Sequence, residues 1–198
     1  MDRVVVYIFD TNNYSFEDLL DINLISNEDI MNARKYKFEL DQKEHLISSY
    51  LKNKYIPSKI SLNKYGKPLA PDIFFNLSHS KGVVAMAIGP REIGIDVEKI
   101  RGFDKDLVSH ICSEEEANFI HGEKDFYCIW TAKESICKAN GEGIRSKISL
   151  IPALPINGFK TFKNIKYYSK NFENKGTVYS ISMEGDKDFE IDICEIKK

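Results

Sequence analysis

The sequence predicts an α+β fold in which most strands pair antiparallel, and three observations lead to this prediction. Apolar runs typical of strands alternate with segments of helical apolar spacing, yet without the regular β-α-β rhythm of a parallel sheet. Turn-forming sequences separate several of the strands. The chain has 198 residues, which is enough for one large domain or two small ones with a core that needs no metal or disulfide.

The first part of the chain predicts one strand followed by two helices. Residues 4–9 are rich in β-branched and aromatic side chains and predict a buried strand. Helices are expected at roughly 27–38 and 42–54, because Ser26 and Asp41 are each a capping residue with an acid three positions later.

The rest of the chain predicts two groups of strands, separated by a helical segment. Residues 57–71 are rich in proline and polar side chains and predict an ordered loop or a short, interrupted strand. A β-meander is then expected from the strands Phe74–Leu77, Val83–Ile88 and Ile93–Val97. Helical spacing runs from about 105 to 140, where Gly141 ends the helix. Three tail strands are expected to complete the second sheet, at 166–172, 177–183 and 188–196.

Composition excludes some classes of protein and names none. The formal net charge of −2 and the pI near 6.1 argue against a protein whose main role is binding nucleic acid. The four cysteines form no C-x-x-C pair and predict reduced, mostly buried thiols. The sequence shows neither a signal peptide nor a membrane-spanning stretch, so a cytoplasmic protein without a membrane partner is expected.

An acidic strand is the first candidate site. Along residues 93–98 the side chains alternate between two faces, so that Gly94, Asp96 and Glu98 share the face opposite the apolar residues. Gly94 adds no side chain and is expected to leave room for a ligand near the backbone. The alternative is an amphipathic edge strand with solvated acids.

A helical triad is the second candidate. Trp130, Glu134 and Lys138 follow at intervals of four residues and therefore share one helix face. Glu134 lies at the margin of the apolar stripe, where a cleft can form. The alternative is an exposed ion pair between Glu134 and Lys138 that contributes little to stability.

A third cluster combines hydrogen-bond donors suited to an anion. The segment F-N-L-S-H-S at 75–80 ends a strand with Ser78 and His79, which can donate hydrogen bonds to a phosphate. No serine is spaced for activation by the histidine, so a nucleophilic triad is excluded. Lys67, in G-K-P at 66–68, is either a further phosphate contact or a surface lysine in a turn.

Taken in order, four motifs resemble the 4'-phosphopantetheinyl transferase superfamily. They are G-K-P at 66–68, F-N-L-S-H-S at 75–80, G-I-D-V-E at 94–98, and W-x-x-K-E-S-x-x-K-x-x-G-x-G at 130–143. The length of the chain, and F-N-L-S-H-S upstream of the acidic strand, resemble the larger single-chain type, which primes peptide synthetase carriers. This resemblance implies two similar α/β halves with mostly antiparallel sheets: 1–90 on the nucleotide-binding side and 91–198 on the metal-binding and catalytic side.

The resemblance also implies roles for single residues. Asp96, Glu98 and Glu134 would hold Mg²⁺, or Mn²⁺ in its place, as suits a hard cation with oxygen ligands. Lys138 would contact the pyrophosphate of coenzyme A. The remaining assignments are Lys67, Ser78 and His79 to the nucleotide end of coenzyme A, Arg34 and Lys35 to its 3'-phosphate, and Glu116 to the base that deprotonates the acceptor serine.

The implied reaction moves the phosphopantetheine arm of coenzyme A to a serine of an acyl or peptidyl carrier protein and releases 3',5'-adenosine diphosphate. The resemblance to single-chain members of this size also implies that the protein is a monomer. One departure stands out, because Glu44 occupies a position near which family members often carry a basic residue. Two alternatives stay open: a non-catalytic relative that keeps the fold, and a metal-dependent phosphohydrolase that uses the same acids with water as acceptor.

Overall fold

The computed structural model describes residues 1–143 and 147–198, which form six α-helices and ten β-strands. The helices are α1 Phe16–Leu20, α2 Asn27–Ala33, α3 Glu39–Tyr55, α4 Asp106–Ile111, α5 Glu114–Phe119 and α6 Glu123–Asn140. The strands are β1 Asp2–Asp10, β2 Ser61–Leu62, β3 Pro68–Leu69, β4 Phe74–Ser80, β5 Val83–Gly89, β6 Ile93–Lys99, β7 Gly158–Phe162, β8 Ile165–Asn174, β9 Thr177–Glu184 and β10 Phe189–Ile196. Among these helices, none has both the length and the apolar character needed to cross a bilayer.

Two four-stranded sheets form the centre of the fold. The first has the order β10-β1-β5-β4 and the second β6-β9-β8-β7, while β2 and β3 pair separately in the segment predicted as a loop or interrupted strand. The pairing is antiparallel except between β1 and β10. The prediction of an α+β fold with mostly antiparallel sheet is therefore confirmed.

The last strand departs from the predicted layout. The expectation that the tail completes the second sheet is correct for β8 and β9 but wrong for β10, which pairs in parallel with β1 over eight residue pairs. Phe189 at its start is fully buried in the core between the sheets, beside Val4 and Val6 of β1. β10 therefore lies within 91–198 in sequence but belongs to the sheet that contains β1, β4 and β5. The division into halves at 1–90 and 91–198 stays a prediction.

The predicted meander is also wrong at its third strand. β4 and β5 pair, but β6 crosses to the second sheet and pairs with β9. β4 and β6 nevertheless lie side by side, because polar side chains of β4 accept hydrogen bonds from alternate backbone amides of β6. These bonds join Ile95 N to Asn76 Oδ1 (3.0 Å), Val97 N to Ser78 Oγ (3.3 Å) and Lys99 N to Ser80 Oγ (3.4 Å).

The sheets face one another and carry one long helix each on their outer faces. Alternate apolar residues of β1, β5, β6 and β9 form the core between the sheets. Helix α3 packs Leu46, Ile47 and Leu51 against the other face of the first sheet. Helix α6 packs against the second sheet, where Thr131 and Ser135 bond to serines of β9. The strand edges β4 and β6 therefore meet between two helix-covered sheets.

Helix boundaries follow the capping signals only in part. Ser26 and Asp29 form a capping box at α2, as predicted, although this helix already ends at Ala33. The predicted cap at Asp41 is wrong, because α3 begins at Glu39 and its N-cap residue makes no side-chain bond. Glu44 consequently lies inside α3. Gly141 ends α6 in the left-handed conformation with φ 76°, which glycine adopts without strain.

Gly94 sets how closely α6 approaches β6. A Cβ atom at this position would lie 2.1 Å from the carbonyl oxygen of Ser135 and 2.4 Å from the amide nitrogen of Ala139. The prediction that Gly94 leaves room for a ligand is therefore corrected, because the backbone of α6 fills that space. The close approach brings the side chains of α6 to the acids of β6.

We expect Gly94→Ala to destabilise the fold by at least about 1–3 kcal/mol, because α6 must move away from β6. Chemical denaturation would measure this loss. Gly102→Ala is the matched control, since a Cβ there has no atom within 4 Å. Equal stability of the two variants would contradict the packing role of Gly94.

Candidate functional site

An open cavity of about 290 Å³ lies where β4, β6 and α6 meet. Its lining contains most of the residues singled out from the sequence. They are Ser78 and His79 from β4, Asp96 and Glu98 from β6, and Trp130, Glu134 and Lys138 from α6, together with Leu77. The predicted faces of the acidic strand and of the helical triad thus open into one space.

Asp96 lines this cavity and is buried. Its Oδ1 accepts hydrogen bonds from Lys138 Nζ at 2.7 Å and from Ser78 Oγ at 2.9 Å. Its Oδ2 is buried and has no hydrogen-bond partner. A carboxylate oxygen in that state lacks the compensation that burial normally requires, so it is suited to a cation or a ligand donor.

The other two acids are close enough to Asp96 to influence one another. Glu98 accepts a hydrogen bond from Ser80 Oγ at 2.7 Å. Burial, followed by the charge of Asp96, raises the pKa of Glu134 to about 7, and Glu98 adds to this while Lys138 opposes it. Such repulsion among carboxylates is relieved when a cation binds between them.

These acids supply the all-oxygen donor set that Mg²⁺ prefers. The unpartnered Asp96 Oδ2 and the raised pKa of Glu134 both fit a divalent cation at this position. Within residues 1–143 and 147–198, however, no three acidic, histidine or cysteine side chains already form a ligand cluster. Lys138 Nζ bonds Asp96 instead, so the lysine supplies the positive charge in this arrangement.

His79 has a partner that the sequence did not predict. Its Nδ1 lies 2.8 Å from Glu44 Oε2 on α3, while Gly82 N donates to Glu44 Oε1 at 2.6 Å. Burial alone would raise the pKa of Glu44, but the hydrogen bonds from His79 and Gly82 outweigh it and lower that pKa. A signal was present, since Glu44 lies three and seven residues before the buried Ile47 and Leu51 and therefore faces inward.

A group of basic side chains lies beside His79. Burial and then the charge of Lys52 lower the pKa of His45, and His79 and Lys35 contribute in the same direction. Lys35 is thus within electrostatic reach of His45, although it is exposed and bonds Asn32. The sequence did not predict a role for His45, because the charged groups around it include His79, which is distant in sequence.

Three of the predicted coenzyme A contacts lie outside this cavity: Lys35, described above, together with Arg34 and Lys67. Arg34 is exposed, and its guanidinium lies over the Phe16 ring, 5.9 Å from the centroid. Lys67 Nζ bonds Glu92 Oε2 at 2.6 Å and the carbonyl of Ala139, near the end of α6, at 3.0 Å. The structure therefore gives Lys67 a part in packing the end of α6, which its place in a turn did not indicate.

Glu116 also lies elsewhere than its predicted role requires. Its carboxylate is buried and paired with Lys133 Nζ at 2.7 Å. Each oxygen also accepts a backbone N–H, from Ala153 at 2.8 Å and from Ser113 at 2.8 Å. It is absent from the residues that line the cavity. These contacts give both oxygens a part in packing α5 against α6. The assignment of Glu116 as the base stays a prediction.

A more apolar cavity of about 330 Å³ adjoins the acidic one and shares Glu98 and Trp130 with it. Phe103, Leu107 and Phe126 contribute to its walls. Arg101 lies at its edge and is exposed. The two cavities together offer a charged end and an apolar end to one elongated ligand or to two ligands that meet.

The sequence of this chain is similar to one family of known proteins. A sequence model of the 4'-phosphopantetheinyl transferase superfamily matches residues 92–194, just over half of the chain. That range includes the acidic strand β6 and the whole of α6.

Similar individual proteins carry the same description. The 4'-phosphopantetheinyl transferase gsp of Aneurinibacillus migulanus is 34% identical over 127 residues, which cover 59% of this chain and 50% of that protein. The 4'-phosphopantetheinyl transferase Sfp of Bacillus subtilis (strain 168) is 29% identical over 156 residues, 70% of this chain and 66% of that protein. The alignment thus spans less than two thirds of the length of either relative.

Proposed function

Since the chain belongs to the 4'-phosphopantetheinyl transferase superfamily, we propose that it transfers the phosphopantetheine arm of coenzyme A to a serine of an acyl or peptidyl carrier protein. The observation that carries this proposal is the single cavity lined by three acids, a lysine and a histidine. Both walls of the cavity come from this one chain, which supports action as a monomer.

The proposed reaction joins the serine oxygen to the β-phosphorus of coenzyme A. The bond from that phosphorus to the bridging oxygen breaks, 3',5'-adenosine diphosphate leaves, and the hydroxyl proton is released. A transfer of this kind depends mainly on positioning and on neutralising the charge of the pyrophosphate. No nucleophile from the protein is needed.

The residues of the cavity supply these two functions. Asp96, Glu98 and Glu134 would hold Mg²⁺ or Mn²⁺, which supplies positive charge to the pyrophosphate when bound. Lys138, whose Nζ donates to Asp96 Oδ1 in this structure, would turn its ammonium group to the phosphates. Ser78 and His79 would bind the nucleotide end, with Lys35 and Arg34 toward the 3'-phosphate and His45 near them.

We propose that the carrier protein binds at the adjoining apolar cavity, next to the phosphopantetheine arm of coenzyme A. Its shared wall of Glu98 and Trp130 would place an acceptor serine beside the pyrophosphate. The exposed Arg101 in the lining of this cavity, and the exposed Lys105 four residues later, would attract an acidic carrier. Charge of this kind affects the rate of association more than the affinity.

Mass spectrometry of apo carrier proteins tests the function directly. One peptide synthetase carrier and one fatty acid carrier are each incubated with the protein, coenzyme A and Mg²⁺, and a chelator is added to the control. We expect a chelator-sensitive gain of about 340 Da on at least one carrier, the mass of the transferred arm.

Other outcomes would support the alternative activities. Release of free phosphopantetheine without any modified carrier would indicate a phosphohydrolase. Binding of coenzyme A without either product, on every carrier tested, would indicate a non-catalytic relative. Modification that continues undiminished in the chelator would contradict the assignment of a metal to the three acids.

A further inference from the structure

The buried carboxylate of Glu44 has no part in the mechanism described above, yet it lies directly behind the cavity. Its side chain is 5% exposed, whereas that of its partner His79 is 56% exposed. A carboxylate in such a position needs hydrogen bonds to offset the loss of hydration. Both of its oxygens have them, one from the backbone of Gly82 and one from the ring of His79.

The two contacts of Glu44 differ in what they require. The bond from Gly82 N fastens α3 to the turn between β4 and β5, and any side-chain oxygen can accept it. The contact with His79 Nδ1 uses the second oxygen. A neutral glutamine would satisfy the turn equally well, so only the contact with His79 makes use of a carboxylate.

This contact fixes which ring nitrogen of His79 is available. Nδ1 faces Glu44 Oε2 at 2.8 Å, and His79 lines the acidic cavity. Because the two nitrogens lie on opposite sides of the imidazole, Nε2 is the one left for a ligand. Orientation of a histidine through a carboxylate on its other nitrogen is a general way to present one nitrogen in a defined direction.

We propose that Glu44 is a positioning residue for substrate binding: it holds the ring of His79 so that Nε2–H donates to a phosphate oxygen of coenzyme A. This inference rests on the proposed function. In the complex the ring lies between two anions, and its doubly protonated form has a donor for each. Glu44 itself touches neither the substrate nor the reacting atoms.

Double-mutant analysis of coenzyme A binding tests the proposal. The dissociation constant is measured by calorimetry for wild type, Glu44→Gln, His79→Ala and the double variant. We expect each single variant to weaken binding about tenfold, as for loss of one charge-assisted hydrogen bond. In the His79→Ala background, Glu44→Gln should weaken it no further, because the effect passes through the histidine.

Glu39→Gln is the matched control, since it makes the same change on the same helix at an exposed side chain. We expect wild-type affinity for it. Equal weakening by Glu44→Gln in both backgrounds would overturn the proposal, because it would show that the effect of Glu44 does not pass through His79. Unchanged affinity of the Glu44→Gln single variant would overturn it as well.

Nitrogen NMR of the His79 ring separates this proposal from the proposed function. In free wild-type protein we expect a proton on Nδ1, which needs no coenzyme A to be observed. An unprotonated Nδ1 overturns the role of Glu44 even if Glu44→Gln fails to fold. The protein could also show a protonated Nδ1 and yet neither bind coenzyme A nor modify a carrier. That result would leave the contact between Glu44 and His79 intact. It would overturn the use of this contact in substrate binding, together with the proposed function.

Discussion

Replacing Glu134 with glutamine is expected to reduce carrier modification by roughly 10³-fold or more, an effect of the size seen when a preorganised electrostatic contact is removed. Glu134 faces the same cavity as Asp96 and Glu98. Glutamine keeps the size of the side chain and removes its charge, so the loss would come from weaker metal binding and not from a cavity.

The same substitution is expected to stabilise the metal-free protein at neutral and alkaline pH. Burial and Asp96 raise the pKa of Glu134 from 4.5 to about 7. Between these values the folded protein keeps a proton that the unfolded chain has lost, so wild-type stability falls as pH rises from about 4.5 to about 7. Glutamine carries no such penalty, and its advantage should be greatest above pH 7.

Thermal unfolding at pH 5 and pH 8, with and without Mg²⁺, measures both effects. Mg²⁺ should raise the midpoint of wild type at pH 8, because a ligand that binds only the folded state stabilises it. It should raise that of Glu134→Gln much less. Glu123→Gln, an exposed acid on the same helix, is the control and should behave as wild type. Wild-type turnover by Glu134→Gln would refute the metal assignment.

The parts of the site that the sequence could predict depend on short-range geometry. Alternation along β6 places Asp96 and Glu98 on one face, and intervals of four place Trp130, Glu134 and Lys138 on another. Both patterns are local, and the structure brings the two faces together. The pairing of Lys138 with Asp96 required the crossing of α6 over β6, which Gly94 allows and which no local pattern states.

The parts that could not be predicted depend on which strands become neighbours. β6 follows β5 by a short turn and still joins the other sheet, because side chains of β4 take over the pairing of its backbone amides. β10 returns to β1 across almost the whole chain. Glu44 and His79 are likewise 35 positions apart in sequence. They meet because α3 packs on the first sheet and Glu44 bonds the turn at Gly82.

Glu116 has a packing role that the sequence pattern did not predict. Three consecutive acids at the start of a helix indicate a favourable helix dipole, and the capping box with Ser113 confirms that part. The missing signal lay in α6, where Lys133 is four residues after Ile129 and three before Ile136 and therefore faces the core. A fully buried lysine requires an anion, and Glu116 is that anion.

We expect Glu116→Gln and Lys133→Met each to destabilise the fold by about 3–5 kcal/mol, because either change leaves one buried charge without its partner. The pair is buried on both sides, with side chains 0% and 5% exposed. The double variant should recover much of this loss, since it buries neither charge. Chemical denaturation of all four proteins gives the coupling between the two positions.

Carrier modification by Glu116→Gln decides between a base and a packing residue. At a temperature where the variant is folded, we expect turnover within about twofold of wild type, because the cavity and its lining residues are unchanged. If Glu116 were the base, turnover would fall by about 10²–10⁴-fold, the contribution of a positioned proton transfer. Additive destabilisation by the two single changes would contradict the buried pair. A loss of turnover of that size in folded protein would support Glu116 as the base.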